Sequence, residues 1–388
     1  MAKTSLVNTA LVAWAREQAG LTQLDVARRI SITEEAYAAI EHGDDNLTFT
    51  QLRKLAHALK RPQAFFYLPE TPDLPEIPTD FRSFDGVAPD LSPDARSALR
   101  DARYLQDTSR RFAGFGMRYD WKWIGSATPD ANPEDIGKRI REAVGITQEV
   151  QWSWHRDAYA ALRGWREGIE GLGVLTYQFS GVATEELSGF CLSEPPYPLL
   201  AINRKHLPAR RCFSLLHELV HVLIATDALS NAIASDENRY SNHSAYAIER
   251  FCDQAAAAAI MPEHLFLEEC RRLNVSLNPE EETLNRLASR FCASKSATLI
   301  RLIQYQLSTF EYFHMMQQVW KSRGLPNRGP AIEWPYEKAL RVHGVTFVKL
   351  VLEAYHQDAI SRLEIADHLG MKLKWQDQLE RLVAGSGR

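Results

Sequence analysis

One pentapeptide constrains this chain more than any other segment: His217-Glu218-Leu219-Val220-His221, an H-E-x-x-H pattern inside the apolar run from Cys212 to Ile224. Two histidines four residues apart share a helix face, so both imidazoles can reach one metal ion. The glutamate beside them is placed to take a proton from a metal-bound water. Apolar flanks on both sides predict a buried helix, as a dry site requires. Two satisfied histidines in an ordinary core helix is the plainer alternative.

A zinc site that does chemistry needs a third protein ligand and an open position. Downstream, Glu249 and Asp253 are i,i+4 neighbours ahead of five alanines, Ala255–Ala259, and then Met261-Pro262. The alanines favour a helix and allow a second helix to pack closely. Glu249 is the candidate third ligand, and Asp253 the carboxylate that takes the proton of a ligand histidine. The alternative for Glu249 is a solvent-facing group paired with Arg250 or Arg211. Tyr240, His243 and Tyr246 lie between the two helices; each is either an oxyanion stabiliser or a surface loop residue. Cys212 and Cys252 read as core packing.

The rest of the chain frames this site. Its 388 residues suit two or three domains, and its net charge of −4 does not suggest a strongly basic nucleic-acid binder. Five cysteines without a C-x-x-C pair suit a reduced, cytoplasmic protein. No apolar run reaches the length of a membrane span. Thr22, Thr33 and Thr48 or Thr50 are N-caps for short helices within residues 6–68, predicting a compact helical domain with a helix-turn-helix at its centre. Pro69, Pro72, Pro75 and Pro78 mark an extended linker, and Ser92-Pro93 opens a long helix. Strand composition over Val174–Phe179, Ser188–Ser193 and Pro198–Asn203 predicts a small antiparallel sheet. The segment 327–344 reads as a turn-rich boundary before a last small helical unit. The expected fold is therefore mainly α with a small antiparallel sheet (α+β). Its domains are 1–68 (helix-turn-helix), 69–130 (linker and long helix), 131–310 (metal-site domain) and 311–388 (C-terminal helices).

On these residues the chain resembles the ImmA/IrrE family of zinc metallo-endopeptidases fused to an N-terminal Xre-type helix-turn-helix domain. Arg211 through His221 carries the first motif, and Glu249 to Met261-Pro262 is similar to the second. Thr22-Gln23 with Ile40-Glu41-His42-Gly43 looks like the Xre motif. Arg61-Pro62 through Pro69 and then Asp80-Phe81-Arg82 looks like the junction. The resemblance implies a zincin-like fold and Zn2+ held by His217, His221 and Glu249, with Glu218 as general base. Asp253 stands where an asparagine is usual and Ala255 where a phenylalanine is usual; the aspartate is similar to the gluzincin pattern, so metal binding is still expected.

Two functions follow from different classes. The first is a regulated endopeptidase that cleaves a repressor or partner protein in a stress, prophage or toxin–antitoxin setting. The second is a non-proteolytic regulator or antitoxin that holds an operator and a small PIN-like ribonuclease toxin, with a homodimer as one form. Cleavage of its own 69–92 linker is a third idea. The presumed recognition helix, Thr33–Ile40, carries Glu34 and Glu35 and no cation, which is costly against phosphate. Gln23, Arg28, Arg29, Glu34 and Tyr37 are the candidate DNA contacts, with Arg53 and Lys54 available to the backbone. A domain kept for dimerisation or for binding another protein is the alternative.

Overall fold

The computed structural model describes residues 7–72, 91–225, 228–230, 243–323 and 333–385. Pro75, Pro78, Asp80-Phe81-Arg82, Tyr240 and the side chain of His243 lie outside the described residues. Contacts divide the chain into two compact units, one formed by 1–104 with 180–186 and the other by 105–179 with 187–388. No helix among the described residues is long and apolar enough to cross a membrane.

The first unit contains α1 (Thr9–Gln18), α2 (Gln23–Ile30), α3 (Glu34–His42) and α4 (Phe49–Ala58), followed by a 3-10 turn over Gln63–Tyr67. Local chemistry sets these bounds. The hydroxyls of Thr22, Thr33 and Thr48 accept from the third backbone N–H of their helices, and Asp25 and Gln51 close two capping boxes. Each such cap contributes about 1 kcal/mol. Ser31 and Gly43 end α2 and α3 in the left-handed region. Leu11, Val26, Ile30, Tyr37, Ile40 and Leu52 form the core.

From the long helix α5 (Pro93–Arg111), which begins in the first unit, the chain continues to α6 (Pro133–Ala143), α7 (Gln148–Ser153), α8 (Ala158–Glu170), β1 (Leu175–Phe179), β2 (Gly189–Leu192), β3 (Leu199–Asn203), α9 (Pro208–Leu223), β4 (Ala228–Ser230) and α10 (His243–Ile260). Then come α11 (Glu263–Arg272), α12 (Glu281–Arg290), α13 (Lys295–Gln304), α14 (Phe310–Arg323), α15 (Pro335–His356), α16 (Arg362–Leu369) and α17 (Gln376–Gly385). Mainly helical with one small sheet is the architecture found. The expected purely antiparallel sheet is corrected in one pairing. The order is β1-β3-β2-β4, and β1 runs parallel to β3. The β2–β3 hairpin is antiparallel, but it inserts with β3 beside β1, so the neighbour in space is not the neighbour in sequence.

Helix α9 lies on β2 and β3, between α8 and α10. The alanine run of α10 does what small residues allow: α6 approaches so closely that a Cβ on Gly137 would come within 2.7 Å of Ala258 and Ala259. Three carbonyls at and just past the end of α10 accept from buried donors. Arg141 donates to Ala259 O at 2.9 Å, Gln151 to Ile260 O at 2.8 Å and Arg301 to Met261 O at 2.9 Å. Cations here also suit the negative end of the helix dipole. The helix carrying Glu249 and Asp253 is therefore fixed at its far end.

The segment read as a turn-rich boundary is helical from Pro335. Glu337 accepts from Trp334 N at 2.9 Å, a start signal that the proline had disguised as a turn. Gly344 breaks α15 at φ 77° and ψ 162°, a conformation essentially confined to glycine. The second half of the helix starts there against Glu170, whose Oε2 accepts from Val345 N at 2.8 Å. Thr176 of β1 donates to the same carboxylate, Arg166 pairs with it at 3.3 Å, and Thr346 donates to Glu170 O at 3.0 Å. This corner holds α15 against β1, covering a strand that would otherwise be an edge.

Candidate metal centre

Every residue of α9 from Arg211 to Leu223 is buried, a consequence of apolar side chains all round the helix. His217 and His221 are one turn apart, with ring centroids 4.9 Å from each other. Their Nε2 atoms converge at 3.1 Å. Glu249 reaches over from α10, placing Oε2 3.3 Å from His217 Nε2 and Oε1 3.2 Å from His221 Nε2. Among the described residues these three form the metal-competent cluster of His, Cys, Asp and Glu. One turn along α10, Asp253 Oδ1 lies 2.9 Å from His217 Nδ1. Held there, Nδ1 carries the proton and Nε2 keeps its lone pair for the cluster.

The residues fit a zinc ion. The donor set is nitrogen and oxygen, and a tetrahedral shell with bonds of about 2.0 Å has ligand–ligand edges of about 3.3 Å. The separations of 3.1, 3.2 and 3.3 Å are edges of that size. Charge agrees. Burial works against a charged His217, yet the hydrogen bonds to Asp253 and Glu249 outweigh it and hold its proton affinity well above the ordinary value. Burial likewise opposes charge on Glu249, but the neighbouring His221 and His217 keep its carboxyl well below the usual range. The cluster is built for positive charge at its centre.

Glu218 is fully buried beside the histidines. Arg211, weighed as a partner for Glu249, donates instead to Gln178 of β1 at 2.8 Å. Burial pushes the thiols of Cys212 and Cys252 up, with nearby carboxylates adding to the effect at Cys252; both are packing groups. Two residues escaped the sequence reading. Arg210 lays its guanidinium 5.2 Å from the Phe213 ring and has a buried Nη1 with no acceptor among the described residues. Burial lowers its pKa, and the charges of Asp253 and Glu218 only partly oppose this. Its i,i+7 spacing to His217 was the available signal. Gly189 of β2, the second, stands against Glu218.

Residues 170–302, spanning these elements, match the family model described as the IrrE N-terminal-like domain. Residues 12–62 match the helix-turn-helix model. The chain carries an IrrE-like domain together with a helix-turn-helix. A relative is the radiation response metalloprotease IrrE of Deinococcus radiodurans, 30% identical over 118 residues. That alignment covers 29% of this chain and 32% of the relative, so the likeness spans about a third of either protein.

In the helix-turn-helix, Arg28, Arg29, Glu34, Arg53 and Lys54 are exposed. Tyr37 is not available to DNA, correcting its place among the candidate contacts: it is fully buried, sharing a face of α3 with Ile40. Gln23 is committed as well, donating to Glu41 Oε2 at 2.7 Å while Arg16 pairs with Glu41 at 2.7 Å.

Proposed function

We propose that this chain is a zinc-dependent endopeptidase joined to a helix-turn-helix regulatory module. The observation that carries the reading is the convergence of His217, His221 and Glu249 at the edge lengths of a metal shell, with Glu218 on the same helix. Bound there, zinc would supply a Lewis acid for a peptide carbonyl and lower the pKa of water. Asp253 orients His217. Glu218 accepts a proton from the attacking water and returns it to the leaving amine. The dry surroundings given by Leu215, Leu216, Leu219 and Val220 strengthen each of these charge interactions. An IrrE-like domain in a named metalloprotease supports the same assignment. The substrate would be a protein, and a repressor is the candidate the architecture suggests. The exposed Arg28 and Arg29 would supply phosphate contacts if the helix-turn-helix holds an operator.

The test is zinc content by elemental analysis on the intact chain, beside Glu249→Ala and Glu218→Gln. About one zinc per chain is expected in the unaltered protein and in Glu218→Gln, with loss in Glu249→Ala. Peptide cleavage should survive in the unaltered protein alone. A chain that takes up no zinc when supplied with it would be read instead as a non-proteolytic DNA-binding regulator.

A further inference from the structure

Gly189 sits inside a fully buried strand, where glycine weakens a sheet by its flexibility and lack of packing. Its backbone does not need glycine, because it is not among the positive-φ residues. What it meets does. A Cβ at this position would come within 2.8 Å of Glu218 Oε1, 3.4 Å of Glu218 Cδ and 2.9 Å of Ala201 O. The space a methyl group would take is therefore shared by the Glu218 carboxylate and the backbone of β3. Strand β2 is held on both sides, with Gly189 opposite Ile202 of β3 and Ser230 of β4. Helix α9 is packed on β2 and β3. The Ala201 carbonyl belongs to the paired backbone of the sheet, so the Glu218 carboxylate, the end of a side chain, is the wall that has to move.

We infer that Gly189 is a positioning residue for Glu218: the bare strand backbone is the stop against which the carboxylate rests, and it sets where that carboxylate stands relative to the histidines. The inference rests on the peptidase reading for its importance but on the contact itself for its truth. Relieving the 2.8 Å approach to ordinary contact at 3.4 Å moves the carboxylate by several tenths of an ångström. Misplacement by about 1 Å can cost on the order of a hundredfold in rate.

The experiment is a double-mutant cycle on the full chain with Gly189→Ala and Glu218→Ala, read by thermal melting. Gly189→Ala should lower the melting temperature when Glu218 is present, and lower it far less, or not at all, when Glu218→Ala has emptied the space. Folding only in the combined variant would be the same result in stronger form. An equal loss in both backgrounds, or failure to fold in both, would mean that the Ala201 carbonyl alone forbids the side chain, and the inference would be overturned. For a readout that packing alone would not move, fluorescein-labelled casein is digested by zinc-loaded protein. Gly189→Ala should keep its zinc and its KM while kcat falls at least tenfold; an unchanged kcat would refute the positioning role. Should the unaltered protein leave casein intact, the peptidase reading fails on its own account, and the melting cycle still decides the contact.

Discussion

Asp253 Oδ1 and His217 Nδ1 stand 2.9 Å apart, joining α10 to α9 one turn away from the Glu249 carboxylate. One carboxylate thus faces each nitrogen of the same imidazole. Asp253→Ala should leave the fold intact and weaken zinc binding by about 10- to 100-fold, because the carboxylate at Nδ1 orients the ring and sets its tautomer. Competition against a chelator measures this. An unchanged affinity would show that Asp253 is a bystander.

Arg210 is a different kind of test, since here removing a charged group should not cost stability. Its buried Nη1 has no acceptor among the described residues, and burial pushes its pKa down. Replacement by methionine keeps the stem over Phe213 and removes an unsatisfied donor. Arg210→Met is expected to melt at the same or a higher temperature than the unaltered chain. A lower melting temperature would contradict the unsatisfied-donor account.

The pH response of the second unit should carry the mark of His343. Burial lowers its pKa to about 4; the Leu369 backbone opposes this, while Arg166, Lys338 and Arg341 add to it. The unfolded chain takes up a proton near the ordinary value of 6.5, whereas the folded protein resists until about 4. Stability is therefore full above that window and falls as pH drops through it, by at most about 1.4 kcal/mol per pH unit. Melting curves from pH 7 to pH 5 should show this decline, and His343→Leu should flatten it. A decline of the same slope in the variant would assign it elsewhere.

Gly344→Ala should be among the more damaging single changes outside the metal cluster. An added Cβ would meet Glu170 Oε1 at 2.6 Å and Thr176 Oγ1 at 2.7 Å, in a backbone conformation foreign to L side chains. The expected cost is on the order of 1–3 kcal/mol, visible as earlier cleavage of the C-terminal helices in limited proteolysis. Resistance equal to that of the unaltered chain would show that the kink tolerates a side chain.

Local signals were legible and non-local ones were not. The threonine caps, the His217–His221 spacing and the Glu249–Asp253 spacing each act within a few residues, so their geometry could be read from the sequence. The parallel pairing of Leu175 with Leu199 depends on how a hairpin inserts beside a distant strand, which no local pattern encodes. Tyr37 is instructive in the other direction. Its i,i+3 spacing to Ile40 marked the buried face of α3, and treating it as a groove contact overlooked that period. The value of Gly189 appears only when α9 and β2 are brought together.

The corner at Glu170 bears on how far the metal site could be moved to another protein. The candidate donors lie within Pro208–Ile260, and a designer lifting that stretch would carry His217, Glu218, His221 and Glu249 together. Yet β1 beneath it is covered by α15, and the second half of α15 begins on a carboxylate supplied by α8. A graft that stopped at α13 would leave the Glu170–Arg166 pair without its third partner and bare the flank of the sheet. The transferable cassette is thus much longer than the reactive one, and its C-terminal limit is set by helices that hold no reactive group.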